Sequence, residues 1–323
     1  PSPQGLGPNI IDRPLRPQSM YTQTMKVAIT GGNGFVGVEA AKYLRQHGHE
    51  AVQLSRRNGG DVGDLGALRE AFRGCDAVIH AAGINREIGD QTYHKVHIEG
   101  TRNVVEAAKA AGVRHLTLVS FLRARPRCGS DYHESKFAAE QIVRNGGIDY
   151  TIYKPGVIYG HGDHMLDHLK RAFLTFPVFA FVGLRDQDVA PLHGRDMAKL
   201  LAAGLTDPRL NNRTFNVTGP EVLSLPEAVM RVAKVVGRKP ITFRMPIWFH
   251  RLFAFGAELV MRVPVVAAAQ VRILSEGVVE PAGPCESLPE DLLPRVPFSE
   301  ENIREGLPEA GRYALRDLRC ACL

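Results

Sequence analysis

Cysteine is scarce and unpatterned in this chain of 323 residues: Cys75, Cys128, Cys285, Cys320 and Cys322 are an odd number without metal-ligand spacing. That excludes a disulfide framework and predicts free thiols in a reducing cytoplasm. No basic run is interleaved with aromatics, so the net charge of +6 suits an anionic cofactor or substrate and gives no reason to expect nucleic acid. Residues 1–24 are rich in Pro, Gly and Gln and lack an apolar h-region, which excludes a secretory signal. They read as a disordered tail, or as sequence ahead of a natural start at Met20 or Met25. Arg13 and Arg16 hint faintly at a transit peptide, but the prolines oppose an amphipathic helix. The apolar stretch from Pro246 to Val271 is broken by Arg251, Glu258, Arg262 and Pro264, short of the roughly 20 mainly apolar residues of a spanning helix. It predicts core helices of a small lobe, with a membrane-surface or partner-binding face as the alternative. Internal repeats and low-complexity segments are missing as well. What remains is an ordinary globular composition, 44% hydrophobic and 23% charged, enough for one large α/β domain with or without a smaller lobe.

The chain is organised around Lys26 to Gly37. Val27 to Thr30 are short, apolar and partly β-branched, which suits a buried parallel strand. Gly31, Gly32, Asn33, Gly34 and Gly37 follow, ahead of an apolar-periodic helix carrying Val38, Ala41 and Leu44. Such a turn needs glycine where φ is positive or where a Cβ would block a ligand. The helix after it offers free N–H groups and a positive dipole end, which bind pyrophosphate. A glycine turn between a strand and a helix is the dinucleotide fingerprint.

The second strand, Ala51 to Leu54, ends in Ser55, Arg56 and Arg57. A carboxylate is usual here for a ribose without a 2′-phosphate. A hydroxyl and two guanidiniums instead favour NADP(H), with NAD as the alternative; the bland reading is two solvated arginines. A helix over Ala67 to Phe72 and a strand over Ala77 to His80 follow. Ala81, Ala82 and Gly83 then let the backbone lie close to the nicotinamide ribose. A long helix from about Tyr93 to Ala111 and a strand from His115 to Ser120 complete the alternation of a doubly wound parallel sheet. Ser130 opens the next helix. On it Tyr132 and Lys136 share one face, where an ammonium beside a phenol is expected to lower the phenol's pKa toward the range of a general acid/base.

These motifs resemble the short-chain dehydrogenase/reductase superfamily in its extended or atypical branch. The resemblance is carried by TGGNGFVG (30–37), DV (61–62), AAG (81–83), GTRN (100–103), YHESK (132–136) and PGVIYG (155–160), and more loosely by PLHGRDMA (191–198) and FNVTG (215–219). It covers about Met25 to Gly237 and is nearest to NAD-dependent epimerase/dehydratase-type proteins related to the 39 kDa subunit of respiratory complex I. It implies a Rossmann fold, a catalytic Tyr132 and a Lys136 on the nicotinamide ribose, with Ser120 as the available hydroxyl. The expected cofactor positions are Gly31, Asn33, Gly34, Phe35, Val36, Gly37, Ser55, Arg56, Arg57, Asp61, Val62, Ala81, Ala82, Gly83, Ser120, Tyr132, Lys136, Pro155, Val157 and Ile158. Two departures stand out. Phe121 and Leu122 occupy the place of the usual catalytic Ser or Thr, with Ser120 on the Leu122 face about 6–7 Å back along the strand. His97 stands where the family carries Asn, which changes the proton-relay or kink chemistry.

His161, Asp163, His164, Asp167 and His168 cluster after the sixth strand. His164 and His168 at i, i+4 have a zinc-like spacing, but no third ligand is defined. A helix capped by Asp163 is therefore expected, and no metal. A further helix is expected from Leu225 to Val236 after a Ser224 cap, and from Pro281 a Pro-rich wrapping tail or linker. The expected organisation is a tail (1–24), a Rossmann domain (25–219, with 160–185 joining the substrate lobe), a smaller, mostly helical substrate lobe (220–300) and a C-terminal tail (301–323). The expected function is a cytoplasmic NADP(H)-dependent oxidoreductase acting on a small carbonyl or alcohol. A nucleotide-sugar epimerase or dehydratase and a non-catalytic NADP(H)-binding sensor or accessory subunit are the alternatives. The expected protein is a monomer or homodimer, without an integral membrane segment but able to associate peripherally with a membrane or protein complex.

Overall fold

The computed structural model describes residues 24–261, 266, 268–309, 311–314 and 317. The expected N-terminal tail up to residue 23, Arg262, Pro264, Cys320 and Cys322 lie outside the described residues. In chain order the elements are β1 (Lys26–Thr30), α1 (Phe35–Gln46), β2 (Glu50–Leu54), α2 (Leu65–Ala71), β3 (Ala77–His80), a π-helical turn (His94–Glu99), α3 (Gly100–Ala110), β4 (His115–Val119), α4 (Asp131–Arg144) and β5 (Asp149–Pro155). Then come β6 (Ile158–Tyr159), α5 (His164–Thr175), β7 (Val178–Val182), β8 (Asp188–Val189), β9 (Leu192–His193), α6 (Gly194–Thr206), β10 (Arg213–Val217), β11 (Leu223–Ser224) and α7 (Leu225–Val235). β12 (Ile241–Met245), α8 (Ile247–Val260), α9 (Ala268–Glu276) and α10 (Glu300–Gly306) complete the series.

Six parallel strands in the order β10-β5-β4-β3-β1-β2 form the central sheet. Its strands are apolar on both faces because both faces are covered. Alternation sends Val27 and Ile29 to the layer holding Ala40, Ala41 and Leu44 of α1 and Leu200 and Leu201 of α6. Ala28 and Val78 point the other way, to Leu68 of α2 and Val104 and Ala108 of α3. This is the doubly wound Rossmann-type sheet expected from the motif spacing. The strand order reverses between β1 and β3, so the carboxyl ends of these strands form the crevice where such sheets bind ligands.

A third apolar cluster joins Tyr159, Leu166 and Phe173 of the β6–α5 region to Val229 and Val232 of α7 and to Phe298 and Ile303 near the C-terminus. The expected caps are present: Asp163 accepts from Leu166 N–H at the head of α5, and Ser224 accepts from Glu227 N–H at the head of α7. Residues expected to open a tail at 301 are instead helical in α10, because Ile303 is buried in that cluster. The chain after Pro281 wraps back as expected. Glu286 exchanges backbone hydrogen bonds with Thr214 and Asn216 of β10, while Leu288 and Leu292 enter the first core layer.

One buried ionic cluster ties these parts together. Glu140, 1% exposed, accepts from Ser120 Oγ (2.5 Å) and Arg144 (3.1 Å) and lies 3.3 Å from Lys154 Nζ. Lys154 also donates to the carbonyls of Ala124 (3.0 Å) and Ala282 (3.2 Å). Removing one member strands the other's charge, which costs about 3–5 kcal/mol, whereas removing both removes the problem. Glu140→Leu is therefore expected to destabilise the protein strongly, and adding Lys154→Met to recover part of the loss. Urea unfolding of the two single variants and the double variant measures this; purely additive losses would contradict it.

Candidate active site

The crevice begins at the glycine turn. Gly31 has φ +68°, and a Cβ there would lie 2.7 Å from the Ala82 backbone; at Gly37 it would lie 2.4 Å from the Gly31 carbonyl. Glycine thus allows the turn to sit directly on the end of β3. The N–H groups of Phe35, Val36 and Gly37 have no partner among the described residues, and the first turn of α1 holds no acid. Orphaned donors at a positive dipole end fit a pyrophosphate. The Phe35 ring packs beneath, against Gly160 and Gly194.

At the end of β2 Asn33 donates to Ser55 Oγ (2.8 Å), and Asn58 locks the turn by accepting from Ser55 N–H (2.6 Å). Arg56 and Arg57 stand exposed on this turn with no ion pair or hydrogen bond among the described residues. They are free to meet a phosphate. Asp61 accepts from Gly63 N–H (2.9 Å), and Val62 is buried against Gly100.

The opposite wall is α4. Lys136 reaches under the sheet end and donates to Val119 O (2.8 Å). A Cβ on exposed Gly83 would lie 3.4 Å from His97 Nε2 and 3.6 Å from Lys136 Nζ, so the lip at Gly83, the ammonium and the imidazole converge. Burial lowers Lys136 to about 8, offset in part by Glu140. Tyr132 lies among the rings of Phe121 (5.3 Å), Tyr93 (5.6 Å), His133 (5.8 Å) and His97 (5.9 Å). This corrects the expected acidification of its phenol: burial, reinforced by Tyr93, pushes its pKa up. The i, i+4 spacing is present, but the Lys136 ammonium donates to Val119 O, and desolvation is the largest cause acting on the phenol.

His97 lies at a break in its helix. The helix expected as one piece from Tyr93 widens into the π-helical turn at this residue, a feature frequent at functional sites. Ile84 N–H donates to Nε2 (3.1 Å), so Nδ1 carries the proton and donates to Ser135 Oγ (2.9 Å), which donates to Tyr132 O (3.0 Å). On the other side, the Thr101 hydroxyl donates to His97 O (2.6 Å) and therefore accepts from His80 Nε2 (3.0 Å). His80 Nδ1 is left to accept from Thr30 Oγ1 (2.7 Å). A single chain of hydrogen bonds thus runs from the end of β1 to α4.

Ser120 does not join the expected site: its hydroxyl is committed to Glu140, on the buried side of α4. Leu122 lies fully buried in a cluster with Tyr93, Phe121, Ala124, Tyr132 and Val278. At the end of β5 Pro155 is buried and Val157 and Ile158 are half-buried, with Val157 O accepting from Leu192 N–H (2.8 Å). Tyr93 escaped the sequence reading because only the tertiary fold brings it to Tyr132. His97 stands out in the sequence only as a departure from the family's Asn. His164 and His168 share a face, but His168 Nδ1 is bonded to the Tyr313 hydroxyl (3.0 Å).

Residues 27–218 match the model of the NAD dependent epimerase/dehydratase family, well over half of the chain. The chain belongs to this family. It is 32% identical over 234 residues to the ceramide reductase of Caulobacter vibrioides, covering 68% of this chain and 73% of that one. It is 27% identical over 254 residues to mouse NADH dehydrogenase (ubiquinone) 1 alpha subcomplex subunit 9, mitochondrial, covering 71% of this chain and 67% of that protein. Among solved structures, MoeE5 in complex with UDP-glucuronic acid and NAD superposes with a TM-score of 0.61 at 23% identity, over 68% of this chain and 85% of that one, a likeness of fold alone. The family is NAD(P)-dependent, and it and the chain's neighbours are of the oxidoreductase and epimerase type. The orphaned N–H groups of α1 suit such a dinucleotide.

The buried histidines give the family member an acid limit. Burial lowers His80 to about 3 and His97 well below its ordinary value. As pH falls below about 6.5 the unfolded chain takes these protons first, so stability is present above that pH and lost on the way down. Each histidine held neutral contributes about 1.4 kcal/mol per pH unit to that slope. His97→Asn is expected to flatten the fall in urea midpoint between about pH 6.5 and 4. Parallel profiles for the two proteins would contradict it.

Proposed function

We propose that the protein is an NADPH-dependent reductase of the short-chain dehydrogenase type, acting on a carbonyl carried by an apolar or amphiphilic molecule. The observation that carries this reading is geometric: the Tyr132 ring lies against His97, whose imidazole converges with the Lys136 ammonium on the Gly83 lip. Reduction needs a proton donor at the carbonyl oxygen. Burial keeps the Tyr132 phenol in the neutral form that can donate, while making it a weaker acid than a free phenol. The bound dinucleotide supplies hydride chemistry. The chain's own residues then divide the remaining work: Tyr132 holds the carbonyl oxygen and gives it a proton, Lys136 presents its ammonium at the Gly83 lip, and Arg56 and Arg57 grip the 2′-phosphate.

The surroundings of Tyr132 support this substrate class. Tyr93, Phe121, Leu122 and Val278 form a buried apolar cluster with it, so a carbonyl reaching its phenol would meet apolar packing, which suits a hydrophobic body better than a nucleotide sugar. The ceramide reductase relative supports the same direction. A second reading, a dinucleotide-loaded accessory subunit, is favoured by Leu122, which removes the family's second hydroxyl donor.

Oxidation of NADPH and NADH is to be followed with a panel of long-chain and short ketones. Turnover with NADPH is expected, and Tyr132→Phe should lower kcat about 10²–10⁴-fold with nearly unchanged cofactor affinity. The Arg56→Ala, Arg57→Ala double variant should weaken NADPH and leave NADH unaffected. Equal use of NADH by the parent overturns the phosphate assignment. Retained NADPH without turnover, with activity created by Leu122→Ser, establishes the accessory reading.

A further inference from the structure

The sequence expectation of core helices over Pro246 to Val271 fails for α8, which is built inside out. Its inward face carries His250 and Ala254, the buried residues of the helix. Its outward face carries Trp248 (67% exposed), Leu252 (63%), Phe255 (67%) and Leu259 (67%), flanked by Phe249 and Phe253. At 100° per residue these six side chains cover nearly half of the helix circumference. The surface continues into β12 and β7, where Ile241, Phe243 and Val178 are exposed, and into Leu184 beside the first turn of α8. Leaving so much aromatic and branched surface in water is costly, so the patch marks a binding face.

We propose that this face docks on an anionic lipid bilayer, with α8 lying in the interfacial plane. Among the described residues no helix is long and apolar enough to cross a membrane. The charge around the patch selects the partner. Arg185, Arg238, Lys239 and Arg251 are exposed, and their side chains make no ion pair or hydrogen bond among the described residues. Arg185 adjoins the start of α8, Arg251 lies on it, and Arg238 and Lys239 precede β12. Anionic headgroups neutralise such a rim, and Trp and Phe side chains suit the boundary between headgroup and acyl chain. A second copy of the chain is disfavoured, because a two-fold contact through this face would set the same cations against one another. Docking there would also bear on the active site: α9 packs against α8 through Val271 and Ala254 and carries Ile273 to the Tyr132 cluster.

Trp248 is the only tryptophan of the chain, so its fluorescence reports this face alone. The test mixes the protein with phosphatidylcholine vesicles with and without phosphatidylglycerol, and reads flotation and Trp248 emission. Flotation with the anionic vesicles, a blue shift and quenching by lipids brominated in the upper acyl chain are expected. Leu252→Ser with Phe253→Ser should abolish all three while NADPH binding remains. Arg185→Gln with Arg251→Gln should lower partitioning roughly thirtyfold, about fivefold for each cation removed. No flotation, or flotation without change in Trp248 emission, overturns the proposal. So does a blue-shifted dimer without vesicles that the Leu252→Ser, Phe253→Ser variant dissolves, which would assign the face to a second copy. Neither result bears on whether a ketone is reduced.

Discussion

The contact on which the rest depends is backbone on backbone: the turn after β1 resting on the end of β3, and α1 starting against that turn. Side chains at Gly31 and Gly37 would place carbon 2.7 Å from Ala82 and 2.4 Å from the Gly31 carbonyl. Real Cβ contacts do not come so close, so the turn would have to lift and α1 would lose its aim. With glycine there, orphaned N–H groups point into the crevice at the switch in strand order. Every other proposed cofactor contact is arranged around that point: the arginines at the end of β2, the small residues after β3, and Lys136 below Gly83.

A second constraint couples the two walls. The hydrogen bonds from Thr30 through His80, Thr101, His97 and Ser135 to the Tyr132 carbonyl use each proton once, and they work only with both imidazoles neutral. Burial enforces that neutrality. The same burial keeps the Tyr132 phenol protonated. One environment thus fixes the position of α4 and keeps its phenol neutral.

The sheet was legible in the sequence because periodicity and glycine placement are local. Val27 to Thr30, the turn and the Tyr132–Lys136 spacing could each be read within a dozen residues. The state of the phenol could not, because most of the rings around it, Tyr93, His97 and Phe121, come from elements other than α4. The Ser120 hydroxyl misled for a similar reason: its partner, Glu140, is 20 positions away. Hydropathy failed at α8 because it counts apolar residues without saying which face they occupy; there the buried face holds histidine and alanine and the outer face the large rings. Arg56 and Arg57 are legible from position alone, and neither side chain is paired among the described residues.

On the proposed reading the glycine turn and the head of α1 hold the pyrophosphate of a 2′-phosphorylated dinucleotide, with Arg56 and Arg57 at its 2′-phosphate. Native mass spectrometry of the chain purified without added nucleotide, then titrated with equimolar NADPH and NADH together, tests it directly. The account predicts a bound mass equal to one NADPH per chain, absent from a Gly37→Val variant that remains folded by circular dichroism. A folded parent chain that retains neither dinucleotide, or that takes up NADH in preference, would contradict it.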